Sequence, residues 1–412
     1  MTSWLTFILF IILFSFLIET IASILNLKAL SPHLPFEFTG IYNINDYAHS
    51  QEYTKSTTSL SLIENGFVTL LTLLFLLLGG FNSIDLWARS FSFGEMVTGL
   101  IYISTLLLFS FILSLPFSLY STFVIEKRFG FNKTTPATYF FDIFKTTFLL
   151  IIIGIPVLSF ILWLFINSGA VAWLYCWAGI VIFSLILQFL APVLILPLFN
   201  TFSPLNEGSL LNMILSYTKK ENFKIKGIYT MDGSKRSSKI NAFFTGLGRF
   251  KKIVFYDTLL EKLENEEVLG VLAHEMGHFK KKHILKMMLG SIIQTGVMLY
   301  LFSLFLGSST ISAAFQMDHI STYSSLVFFG FIYSPVSLIL SLFFNKLSRK
   351  HEFEADSYAS KTLDNPQYLM NSLKKLSQAN LTNLTPHPLY VFINYSHPPV
   401  LERLKELANL KN

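Results

Sequence analysis

Charge is what this chain has least of. Of its 412 residues, 14% are Asp, Glu, Lys or Arg, against about 25% in a soluble domain, and the shortfall excludes an ordinary soluble globule. There is one cysteine, Cys176, so no intramolecular disulfide can staple the fold; set in an apolar run, it reads as a small buried side chain. Glycine and proline number 21 and 14, too few beside this much apolar residue for a linker or a disordered chain. No internal repeat and no low-complexity tract is visible beyond the apolar runs.

Those runs are what the chain does have. Hydrophobic residues make up 52% of it, with 43 Phe, and seven stretches reach the roughly 20 apolar residues that cross a bilayer. They lie at about 4–24, 62–82, 97–120, 147–166, 171–195, 284–306 and 323–344. Met1 to Leu13 carries no Lys or Arg and no small-residue cleavage site follows, so the first run is expected to be a membrane helix of the mature protein and not a cleaved signal.

Basic residues orient the spans. With the N-terminus outside or lumenal, the segments 25–61, 121–146, 196–283 and 345–412 face inward and hold 29 of the 31 Lys and Arg. The formal charge of +6 is therefore topology, and the sequence is read as having no nucleic-acid partner. Segment 196–283 is the longest soluble piece. Gly227 to Met231, Asn241 to Thr245 and Ile253 to Tyr256 read as short strands, with Gly246, Leu247, Gly248 and Arg249 as the connection between the last two. A helix is expected from about Glu266 and Glu267, two acids suited to its N-terminus.

That helix carries His274, Glu275, Met276, Gly277 and His278. Residues four apart share a helical face, so the two imidazoles can bind one zinc ion while Glu275, about 100° around, reaches a water on it. A catalytic zinc site takes three protein ligands, so one more is needed. A second cluster, Arg349, Lys350, His351, Glu352, Phe353, Glu354, Ala355 and Asp356, follows the seventh run. Glu352 and Asp356 are again four apart; one carboxylate can ligate the metal while the other orients a ligating histidine or contacts the reacting groups. The competing reading is a solvated juxtamembrane charge run.

With these residues in view, the chain resembles the type I CAAX prenyl endopeptidases, integral membrane zinc metalloproteases. The resemblance rests on Glu126–Lys133 (EKRFGFNK), Met231–Gly246 (MDGSKRSSKINAFFTG), Val271–His278 (VLAHEMGH), Glu352–Asp356 (EFEAD) and Tyr395–Leu404 (YSHPPVLERL), in that order along nearly the whole chain. It implies a mainly α, polytopic membrane protein of seven transmembrane helices, with a gluzincin-like protease domain that contains a small β-sheet. The division implied is 1–200, a membrane domain of five spans, and 201–412, a metalloprotease domain with two more.

By resemblance, the zinc ligands are His274, His278 and Glu352, the catalytic glutamate is Glu275, and Asp356 matches an aspartate sometimes assigned as a proton donor. Glu354 is the nearest rival ligand, but its spacing to Asp356 does not fit the motif. A bound zinc would acidify a water and polarise a peptide carbonyl, with Glu275 taking the proton. His397, with Arg403 behind it, is the best candidate to donate to the oxyanion. The strand at Asn241 and Ala242 is placed to bind an extended peptide by edge addition. Lys239 departs from the family pattern, where a histidine is frequent, which puts specificity in question.

The expected activity is removal of C-terminal residues after a prenylated cysteine, on a peptide or protein substrate in the lipid bilayer, with the zinc site and C-terminus cytoplasmic. The absence of a C-terminal retention signal and the chain length favour a bacterial plasma membrane over the endoplasmic reticulum. A membrane quality-control protease is the alternative with the same chemistry; a transporter or channel is the alternative of another class, and it leaves the five motifs without a purpose.

Overall fold

A computed structural model describes residues 3–245 and 252–410. Among the described residues, seven helices are long and apolar enough to cross a membrane. The first five are α1 (Ser3–Lys28), α2 (Ile44–Leu77), α3 (Glu95–Glu126), α4 (Pro136–Asn167) and α5 (Gly169–Phe199). Their apolar side chains point mostly outward, as Leu107, Leu108, Phe109 and Ile112 do on α3; facing lipid, they lose nothing by that exposure. Three spans loosen into π turns, at Ser121–Glu126, Leu150–Gly154 and Ala191–Ile195. Pro192 lies inside the last of these and Pro156 just beyond the second, where a missing N–H breaks the regular ladder.

Helix α2 begins 18 residues before the apolar run that announced it. Its polar first half buries Tyr47, Ser50, Thr54 and Thr58, and Tyr47 joins a core made mostly of residues from the second half of the chain. Hydropathy has no signal for such a segment, because tertiary packing alone holds it helical.

A four-stranded sheet follows: β1 (Phe202–Pro204), then helix α6 (Ser209–Lys220), β2 (Gly227–Met231), β3 (Ala242–Thr245) and β4 (Lys252–Tyr256). The order is β1-β2-β4-β3. Strand β4 runs parallel to β2 and antiparallel to β3, with Ala242 opposite Phe255, which leaves β3 at an edge. Gly246, Leu247, Gly248 and Arg249, expected to join the last two strands, lie outside the described residues.

Helix α7 (Asn265–Lys280) sits on this sheet. Its N-terminus is closed by a capping box: the Glu264 side chain receives a backbone N–H and the Glu267 carboxylate receives the Glu264 N–H at 2.9 Å. After it come α8 (His283–Phe305) and α9 (Thr322–Thr362), the sixth and seventh spans, and the smaller helices α10 (Gln367–Ala379) and α11 (Val400–Asn409). Helix α9 runs unbroken for 41 residues from the membrane through the acidic cluster. The cluster is not a wholly solvated run, since His351, Glu352, Ala355 and Asp356 in it are buried.

Two motifs of the sequence turn out to dock on each other. Lys133 N–H donates to the Arg236 carbonyl and Ser238 N–H to the Phe131 carbonyl, both at 3.0 Å, and Arg236 forks onto Asp142 at 2.7 and 2.9 Å. Lys239 reaches the Glu126 carboxylate at 3.0 Å and the Tyr53 hydroxyl at 2.8 Å, over the Phe131 ring. It is absent from the lining of the cavity described below, so this chain's departure from the family pattern falls on a joint between α2, α3 and the segment leading into β3. Lys239→Met should lower the thermal midpoint by the loss of a half-exposed ion pair, about 1–2 kcal/mol, and leave peptide selectivity unchanged. A changed cleavage preference with an unchanged melting curve would contradict that placement.

Candidate metal centre and active site

The centre is built where α7 and α9 cross. Gly277 makes the crossing possible: a Cβ there would lie 2.9 Å from both Cα and the carbonyl oxygen of Ala355. With the helices this close, His274, His278 and Glu352 each bring a ligand atom within 4.8 Å of the other two. His274 Nε2 and His278 Nε2 are 3.1 Å apart, and Glu352 Oε2 and Oε1 lie 3.4 and 3.2 Å from them.

These spacings fit a metal. A tetrahedral zinc with bonds of 2.0–2.1 Å sets its ligand atoms about 3.3 Å apart. Glu352 Oε2 is buried and receives no hydrogen bond, which a buried carboxylate tolerates when a cation fills the place. Glu352 and Asp356 are buried carboxylates, Glu275 faces the same site, and Arg403 lies among them. The imidazole of His274 feels the same field: burial and Arg403 push its pKa down, and Asp356 and Glu352 outweigh them, raising it to about 9.

Behind the ligands, the His274 Nδ1 is 2.8 Å from Asp356 Oδ1, and Arg403 donates to both Asp356 oxygens at 2.8 and 2.6 Å. Arg403 Nη1 is also 3.3 Å from Glu352 Oε2. Asp356 is therefore engaged at the back of His274 and is not among the residues that line the cavity. A carboxylate held by a fork and an imidazole is an anchor for the ring.

In front lies a cavity of about 350 Å³ lined by Glu275, His397, Arg403, Asn241 and Ala242 with the ligands. Burial raises the Glu275 carboxyl above its ordinary range, with His274 and His278 pulling against it. His397 stands two-thirds exposed, its Nε2 3.5 Å from Glu352 Oε1 and its Nδ1 3.0 Å from Ser396 Oγ. At the rim, the Ala242 N–H is taken up by the Asn241 side chain at 2.8 Å on the free edge of β3. All nine residues singled out from the sequence thus come to one place, eight on the cavity and Asp356 behind it.

Sequence reasoning passes over His283, whose ring meets that of His278, and ranks Glu354 only as a rival ligand. The signal was there: a third histidine five residues after His278, across a break at Lys282, whose φ of 58° ends one helix and begins the next.

Fold and site together define a membrane-embedded metallopeptidase. The family model described as CAAX prenyl protease N-terminal, five membrane helices, matches residues 23–201, and that of peptidase family M48 matches residues 204–411. A CAAX prenyl protease 1 homolog of Arabidopsis thaliana is 34% identical over 95% of this chain and 94% of its own. The Homo sapiens homolog is 32% identical over 92% and 89%. The crystal structure of S. mikatae Ste24p superposes with a TM-score of 0.93 at 28% identity, covering 99% of each chain. The chain belongs to peptidase family M48 and is a membrane protease of the CAAX type. The relatives named are eukaryotic, so the bacterial placement expected from the sequence finds no support in them.

Proposed function

We propose that the protein is a zinc endopeptidase that removes the C-terminal residues following a prenylated cysteine, with its site on the cytoplasmic side. The spacing of His274, His278 and Glu352 beside Glu275 is the observation that supports this most. The prenylated substrate is suggested by the names of the relatives, and the cytoplasmic site by the crowding of basic residues on the inward segments.

His274, His278 and Glu352 would hold the ion. Zinc, when bound, acidifies a water and polarises a carbonyl. Glu275 accepts the proton of the attacking water and returns it to the leaving amine. His397 donates to the developing oxyanion. Asp356 and Arg403 touch no substrate in this reading. They fix the ring of His274 and the carboxylate of Glu352, as positioning residues. An extended peptide joins the edge of β3 and displaces the Asn241 side chain from the Ala242 N–H.

The deciding assay compares a farnesylated peptide with its unprenylated twin, with and without a chelator. Burying even two methylenes of the isoprenoid is worth about 1.6 kcal/mol, so kcat/KM should favour the lipidated peptide by more than about tenfold, and chelation should abolish both. Equal cleavage of the twins would replace this substrate by unmodified membrane proteins. Cleavage that survives chelation would end the metal assignment.

A further inference from the structure

We propose that His283 and Glu354 form a relay that orients the metal ligand His278, a second support beside the Asp356 contact to His274. The proposal rests on the zinc reading above. Lys282, at a positive φ of 58°, turns the chain between α7 and α8 so that His283 folds back. Its Nδ1 stands 3.1 Å from the Nδ1 of His278, and its Nε2 stands 3.0 Å from Glu354 Oε2. The His351 ring stacks on His283 at 4.0 Å and 10°, and both imidazoles are buried. Lys286 and Lys350 approach Glu354 at 4.0 and 3.9 Å.

The direction of each bond follows from what the groups can do. An ionised carboxylate only accepts, so His283 carries its hydrogen on Nε2 and donates it to Glu354. The Nδ1 of His283 is then an acceptor, and His278 donates to it from its own Nδ1. That leaves the lone pair of His278 on Nε2, the atom that faces Glu352 and His274. Outer contacts of this kind hold a ligating ring in its tautomer and orientation, and their loss weakens metal binding by about 10–100-fold. Helix α9 thus supplies a ligand, Glu352, and the carboxylates that steady both histidines, Asp356 directly and Glu354 through His283.

The test is the zinc dissociation constant of the full-length protein in detergent, by competition with a chromophoric chelator, and the d–d absorption of its cobalt form. His283→Leu should weaken zinc by about 10–100-fold; His283→Gln, whose amide oxygen accepts from His278, should recover part of that. Glu354→Gln should weaken zinc by a smaller factor and shift the cobalt bands, which a purely structural role would not do. Melting of the zinc-free proteins separates misfolding from lost affinity. If His283→Leu does not fold, Glu354→Gln, which keeps size and shape, decides. Zinc affinity within twofold of the parent and unshifted cobalt bands in the folded variants would overturn the relay. A parent that binds no zinc would instead overturn the metal reading, and the relay with it.

Discussion

Glu275→Gln is expected to leave a protein that folds and binds one zinc per chain but no longer cleaves peptide. The substitution keeps the volume of a side chain on the cavity wall and removes its capacity to take a proton. General base catalysis contributes about 10²–10⁴-fold, so kcat should fall by at least the lower figure while the zinc content stays at the parent level. Both quantities need measuring on the same preparation. Turnover retained at full zinc would mean that another group accepts the proton, and the assignment of Glu275 would be lost.

Gly277→Ala should be the most damaging conservative change outside the ligands. Within a helix, alanine normally gains about 1 kcal/mol over glycine. Here the new methyl would meet the Ala355 backbone at 2.9 Å, and neither Cα nor a carbonyl oxygen can rotate away. The helices must part, at about 1–3 kcal/mol of overpacking, and Glu352 moves with Ala355, three residues further along α9. Zinc affinity should drop by more than about tenfold, with a lower melting point. Gly330→Ala, also on α9 but with nothing within 4 Å of the added carbon, is the matched control and should be neutral or stabilising. Parental zinc affinity in Gly277→Ala would show that the crossing does not set the ligand geometry.

Local signals in the sequence were reliable wherever one period or one run length decided the structure. Seven apolar runs became seven membrane-length helices, Gly227–Met231 became a strand with those bounds, and the four-residue spacings of His274 with His278 and of Glu352 with Asp356 fell on helical faces. What stayed hidden depended on contacts distant in sequence. The polar half of α2 has no apolar period of its own and is helical because Tyr47 and its neighbours pack against a core made mostly of residues from the second half of the chain. The burial of Arg403 between Glu352 and Asp356 joins residues some 50 positions apart, and nothing in the local pattern around Arg403 distinguishes it from a solvated arginine. Lys239 raises a question of specificity only because it departs from the family pattern; its partners Tyr53 and Glu126, on α2 and α3, give it a different meaning. Glu354 was judged only as a competing ligand, because the histidine that links it to the centre belongs to another helix.

The unbroken course of α9 joins two things usually considered apart. The same rod that is gripped by lipid near Val336 and Ile339, both exposed, seats the carboxylate of Glu352 on its next turns. From Val336 to Glu352 is about 24 Å at 1.5 Å per residue, so tilting the rod by 5° about its lipid end would carry the carboxylate about 2 Å, as far as a zinc–oxygen bond is long. The metal centre thus depends on α9 holding its direction to within a few degrees over the distance from its lipid-facing turns to Glu352.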